Sequence, residues 1–202
     1  MITIQHYCAM GDSITDPSNQ LVKKWYHDWL KDWWQPNQVS LLAVSGATIN
    51  ADYASMAQSC RLIPADCDRL TIYGGINDFG MSQPLGQLGN SDNITFYGAL
   101  DQLLRRVLQA HPQMAVYFVS HVKIGHDFFS TTNQLGLQQA AYEEAIAAVT
   151  AAYSVPHLSL YRSWLNFADP VMAAQYSIDS LHPNDAGQLV IAHMIDEFVR
   201  TQ

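Results

Sequence analysis

Apolar runs rich in β-forming residues fall at 2–10, 39–44, 69–73, 114–120 and 155–160, and longer segments of helical periodicity separate them. This alternation constrains the fold more than any other feature. A strand that is followed by a helix and then by another strand re-enters the sheet parallel to the first, with helices covering the faces. The helical patterns lie at about 19–34, 51–61, 94–110, 134–153 and 185–200. The last begins after Asn184, a capping residue, and carries Asp185 in its first turn. The expected architecture is α/β, a five-stranded parallel sheet between layers of helices.

Position then gives several polar residues a common address. Ser13 in Gly11-Asp12-Ser13 follows the first strand, Gly46 in Ser45-Gly46-Ala47 the second, and Asn77 in Gly75-Ile76-Asn77-Asp78 the third. Asp179 and His182 lie beyond the fifth. All sit past carboxyl ends of strands, and in an open parallel sheet these ends share one edge, where ligands bind at the reversal of strand order. With the order 2-1-3-4-5, the turn after strand 1 is flanked by those after strands 2 and 3, so Ser13 falls between Gly46 and Asn77.

Taken singly, Ser13 reads as a helix cap, Gly46 as a turn glycine and Asn77-Asp78 as a loop pair. Brought to one edge, they supply the parts of an acyl-transfer site. A serine hydroxyl needs a base, and His182 is the candidate. The histidine needs a group to fix its tautomer, and Asp179 stands three residues upstream on the same loop. The oxyanion of the tetrahedral intermediate needs preorganised donors: the N–H groups of Ser13 and Gly46 and the Asn77 amide. Asp12, Asp78 and His121 are placed around these groups, bracing the turns or lining the substrate.

These segments resemble the blocks of the SGNH hydrolases, the GDSL-type esterases and lipases. Gly11-Asp12-Ser13 is similar to the nucleophile block, Gly46 to the glycine block, Gly75-x-Asn77-Asp78 to the asparagine block, and Asp179-x-x-His182 to the final block. Ile14 stands where the name-giving form has leucine, and Ser45 where an asparagine is frequent. The resemblance implies a flavodoxin-like three-layer α/β/α fold and hydrolysis of acyl esters without metal or other cofactor.

Composition narrows the partners. A formal charge of -8 over 202 residues, with ten basic residues scattered along the chain, argues against nucleic acid and anionic lipid. The length suits one domain. No basic start precedes an apolar run and no window approaches the roughly 18 apolar residues of a membrane span, so a soluble, cytoplasmic chain is expected. Cys8, Cys60 and Cys67 read as thiols without a disulfide framework. His121, His126 and Asp127 form no recognisable metal-ligand spacing.

Two further features are ambiguous. Trp25, Trp29 and Trp33 mark one face of the first helical pattern, for which core packing is the default and an acyl or sugar platform the alternative. The stretch 78–93, rich in Gly, Pro, Ser and Asn, is a candidate rim or lid. The leading reading is a serine esterase acting on small or carbohydrate-linked acyl esters through acyl-Ser13. Acyl transfer to an alcohol and a non-catalytic binding module on the same fold are the alternatives.

Overall fold

Successive side chains of β1, His6–Gly11, fall into different apolar clusters: Cys8 and Met10 on one face of the sheet, Tyr7 and Ala9 on the other. Both faces must therefore be covered, which is the condition for a parallel sheet. The computed structural model, which describes residues 4–49 and 54–202, meets it. Strands β2 (Gln38–Ala43), β3 (Arg69–Tyr73), β4 (Ala115–Ser120) and β5 (His157–Ser159) join β1 in the order β2-β1-β3-β4-β5, every neighbouring pair parallel. This is the expected order, with β1 inside the sheet between β2 and β3.

Three helices close one face: α2 (Met56–Ser59), α4 (Phe96–Ala110) and α5 (Gln139–Ala152) bury residues in the cluster that holds Leu70, Ile72 and Phe118. In α4 the buried Leu100, Leu103, Leu104 and Val107 recur at helical spacing, and each such side chain contributes about 1.5–3 kcal/mol by leaving water. The opposite face is closed by α1 (Tyr26–Trp34) and α7 (Asp185–Arg200), with α6 (Pro170–Tyr176) at its edge. Asn184 caps α7 by accepting the Gly187 N–H at 3.0 Å, as expected from the sequence.

Several boundaries differ from the sequence reading. The pattern at 19–34 becomes helical only at Tyr26: Gln20 is left-handed (φ 57°), and the N–H groups of Lys23 and Lys24 donate to Asp185 rather than along a helix. The three tryptophans are core residues. Trp25 is buried, and Trp29 and Trp33 pack against the cluster under α1 and α7. Of the pattern at 51–61, residues 51–53 lie outside the described residues, as do 2 and 3 of the first strand, and the helix described is only Met56–Ser59.

The stretch 78–93 opens inside a short helix, α3 (Ile76–Gly80). It is then fastened: Gln83 N–H donates to the Asp78 carbonyl, and the Phe96 and Tyr97 N–H groups to the Pro84 and Leu85 carbonyls. Leu88, Gly89 and Asn90 border a cavity of about 250 Å³ with Tyr97, Asp101 and Val149, which puts the tip of the stretch on the α4–α5 side rather than over Ser13. Among the described residues, no helix is long and apolar enough to cross a membrane.

Candidate active site

The register levels the strand ends, since Gly11 pairs with Ala43 of β2 and Tyr73 of β3. The turns that leave these strands therefore meet. A Cβ on Gly11 would lie 2.2 Å from Thr15 Oγ1 and 2.9 Å from the Tyr73 carbonyl, so only glycine permits the tight exit from β1. Asp12 then wraps the turn. Its carbonyl accepts the Thr15 and Asp16 N–H groups at 3.0 and 2.9 Å, and its Oδ1 accepts the Ile14 N–H at 3.0 Å. Burial outweighs that last bond and pushes the Asp12 carboxyl up to about 7.

Ser13 Oγ–H donates to His182 Nε2 at 3.0 Å. Asp179 is a carboxylate and can only accept, so the His182 Nδ1–H donates to its Oδ2, at 2.8 Å, and Nε2 is the bare nitrogen facing the serine. Asp179 Oδ1 folds the loop back on itself by accepting the Leu181 and His182 N–H groups at 3.1 and 2.7 Å. Burial alone would raise the Asp179 pKa, but the backbone and ring donors of His182 hold it below the usual value. Ser180 inside this loop takes φ 62°, a left-handed conformation that is uncommon outside glycine and asparagine.

Gly46 has φ 80°, and among the described residues, its two chain neighbours aside, no atom lies within 4 Å of where its Cβ would be. Backbone conformation demands this glycine, rather than crowding. The Asn77 amide donates to the Ala47 carbonyl at 2.9 Å, and both oxygens of Asp78 accept the Ile49 N–H, at 3.1 and 2.9 Å. The third turn is thus sewn to the second. Among the described residues, the N–H groups of Ser13 and Gly46 meet no acceptor. Beneath the site, His121 is buried, and its Nδ1–H donates to the Val122 carbonyl at 3.0 Å. Burial depresses its pKa to about 4, which keeps it neutral.

Sequence reasoning missed a second set of residues. Asp16 Oδ2 accepts both the N–H (2.9 Å) and the hydroxyl (2.7 Å) of Ser45, and Asn19 Nδ2 donates to the Ser13 carbonyl (2.8 Å) and to Ser45 Oγ (3.1 Å). Ser45 is thereby held from the Ser13 turn. From α7, Gln188 Oε1 accepts the Tyr26 N–H at 2.9 Å and its Nε2–H donates to the Ile14 carbonyl at 3.1 Å. Phe128 stands edge-to-face on the His182 ring, centroids 5.2 Å apart. None of these pairs has a local sequence signal except Asp16, whose place before Pro17 marks it as a cap.

A parallel sheet in this order, with a serine, a histidine–aspartate pair and an asparagine turn along its carboxyl edge, has the architecture of the SGNH fold class. The chain belongs to the GDSL-like lipase/acylhydrolase family, matching it over residues 9–190. It is similar to a protein of known crystal structure from Lactobacillus plantarum, 43% identical over 100% of this chain and 99% of that one, with a TM-score of 0.96. Fold alone is shared with a two-domain esterase active on acetylated mannans (19% identity, 98% of this chain and 49% of that one, TM-score 0.64). The same holds for an acetyl xylan esterase (15% identity, 96% and 99%, TM-score 0.67). No functionally curated protein matches the chain.

Proposed function

We propose that the protein is a serine esterase that hydrolyses small acyl esters, short-chain or carbohydrate-linked acetyl, through an acyl-Ser13 intermediate. The observation that carries this reading is the unbroken relay from Asp179 through the His182 ring to Ser13 Oγ, with contacts of 2.8 and 3.0 Å. In the first step Ser13 Oγ attacks the ester carbonyl while His182 Nε2 takes its proton. The carbonyl oxygen, now negative, is received by the Ser13 and Gly46 N–H groups and by the amide hydrogen of Asn77 not used on Ala47. The imidazolium, stabilised by Asp179, returns the proton to the departing alcohol. Water activated by His182 then cleaves the acyl-enzyme.

The acetyl preference draws support from the two carbohydrate esterases that share the fold, which are described as active on acetylated mannans and as an acetyl xylan esterase. The test is hydrolysis of nitrophenyl esters from acetate to decanoate, with a sugar acetate in parallel, for wild type and Ser13→Ala. Activity on acetates that vanishes in the variant is expected. A fully active Ser13→Ala, or no turnover of any ester, refutes the assignment.

A further inference from the structure

Phe128 is half exposed, 50% of its surface open, although it packs against the ring of the nearly buried His182. It is not a loose side chain. The segment that carries it is pinned to the catalytic loop by the Gly125 N–H donating to the Ser180 carbonyl (3.0 Å) and by Ser180 Oγ–H donating to Asp127 Oδ2 (2.6 Å). On its other side, Phe129 stacks edge-to-face on Phe79 and fills the space over Gly80, where a Cβ would come within 2.3 Å of it. Phe128 itself stands edge-to-face on Phe129, centroids 4.9 Å apart. The Phe128 ring is therefore held in place against the base, with one side open to solvent.

We infer that Phe128 is the wall against which the alcohol half of the ester lies, and that this alcohol is a ring with an apolar face, such as a pyranose. The inference rests on the esterase reading. In that chemistry the carbonyl oxygen points at the Gly46 and Asn77 turns, and the alcohol oxygen must lie at His182 Nε2 to be protonated. Whatever is attached to that oxygen passes beside the ring that packs on the imidazole. The surroundings choose between a ring and a chain. Apart from Phe129, which turns onto Phe79, the neighbours of Phe128 along the chain, His126, Asp127 and Ser130, are polar and exposed. One flat aromatic surface in a polar rim matches a sugar, whose C–H face stacks while its hydroxyl rim stays hydrated. An alkyl chain would need an apolar groove instead.

The experiment compares kcat/KM for an acetylated methyl xyloside and for ethyl acetate in wild type, Phe128→Ala and Phe128→Trp, and adds ethyl butyrate to vary the acyl half. All acetates share one acetyl-enzyme, so an effect on the alcohol half enters acylation, which kcat/KM reports. The expected result is a fall of about tenfold in the ratio of sugar acetate to ethyl acetate for Phe128→Ala, the size of one good aromatic contact, with the ratio restored by Phe128→Trp. Equal losses on both acetates overturn the inference, because the ring would then only hold His182. A loss that grows from acetate to butyrate overturns it by placing the ring on the acyl side. Failure of the wild type to turn over any of the three esters defeats the esterase reading itself.

Discussion

Asparagine in place of Asp16 separates the charge that holds the oxyanion turn from the space it occupies. The carboxylate accepts three hydrogen bonds, from the Ser18 N–H (2.9 Å) on Oδ1 and from the N–H and hydroxyl of Ser45 (2.9 and 2.7 Å) on Oδ2. Asparagine has one acceptor oxygen. With it turned to Ser45, its NH₂ faces the Ser18 N–H, and one charge-assisted bond is lost outright, about 1.5–3 kcal/mol. For a domain of this size that is a fall in Tm of about 4–7 °C. Catalysis should suffer separately, because Ser45 carries Gly46. Deleting one oxyanion donor lowers kcat by about 10²–10³, so a displaced donor should lower it by about 10–100-fold, with KM little changed.

The assay is kcat and KM on an acetate ester beside thermal melts, for wild type, Asp16→Asn and Asp16→Ala. The melts carry a pH signature. Burial would raise the Asp16 pKa, but its bonds from Ser18 and Ser45 outweigh that and lower it. A depressed carboxylate stabilises the fold above its unfolded pKa, about 3.9, and loses that contribution as pH falls through the lower folded value. The stability gap between wild type and variant should be full at neutral pH and shrink in acid. A variant that melts lower as expected yet keeps kcat within about twofold of wild type refutes the link between Asp16 and the oxyanion turn.

Three further outcomes are expected. Gly46→Ala should lose about 1–2 kcal/mol in chemical denaturation, because its φ of 80° suits no side chain although the space is open; an unchanged midpoint contradicts the assignment. Asp12→Asn should become more stable relative to wild type as pH rises from 4 to 8. The Asp12 pKa is raised to about 7 in the fold, so wild-type stability from this group is full below about 3.9 and is lost as pH rises through about 7. Asp179→Asn should stay folded at neutral pH, melting somewhat lower because a depressed carboxylate is lost, yet lower kcat by about 10⁴, because the amide permits the wrong His182 tautomer; loss of less than tenfold points to another orienting group.

What was legible in the chain follows from the range of each signal. β3 lies at 69–73 as read and α7 at 185–200, since a buried strand and a capped amphipathic helix are written locally. Helix α6 was missed although Asp169 and Pro170 spell its cap and first residue, because seven residues show little periodicity. Helix α3, five residues long, was hidden inside what read as an asparagine loop. In the candidate site, Ser13, Gly46, Asn77, Asp179 and His182 stand out in the sequence because each follows a strand or sits in a recognisable block. Asn19 and Phe128 were not, since each acts across a distance that only packing creates.

The docking of α7 also sets an order of events. His182 lies 169 positions after Ser13, so a chain growing from its amino terminus holds the nucleophile and both flanking turns long before it holds a base. Until then Ser13 is an ordinary alcohol. When α7 packs, Ile191 and Ile195 leave water, Gln188 grips the Tyr26 N–H and the Ile14 carbonyl, and the preceding turn sets the imidazole beside the hydroxyl. Completion of the core and the pairing of Ser13 with His182 become one event, so a half-made chain holds the serine without its partner.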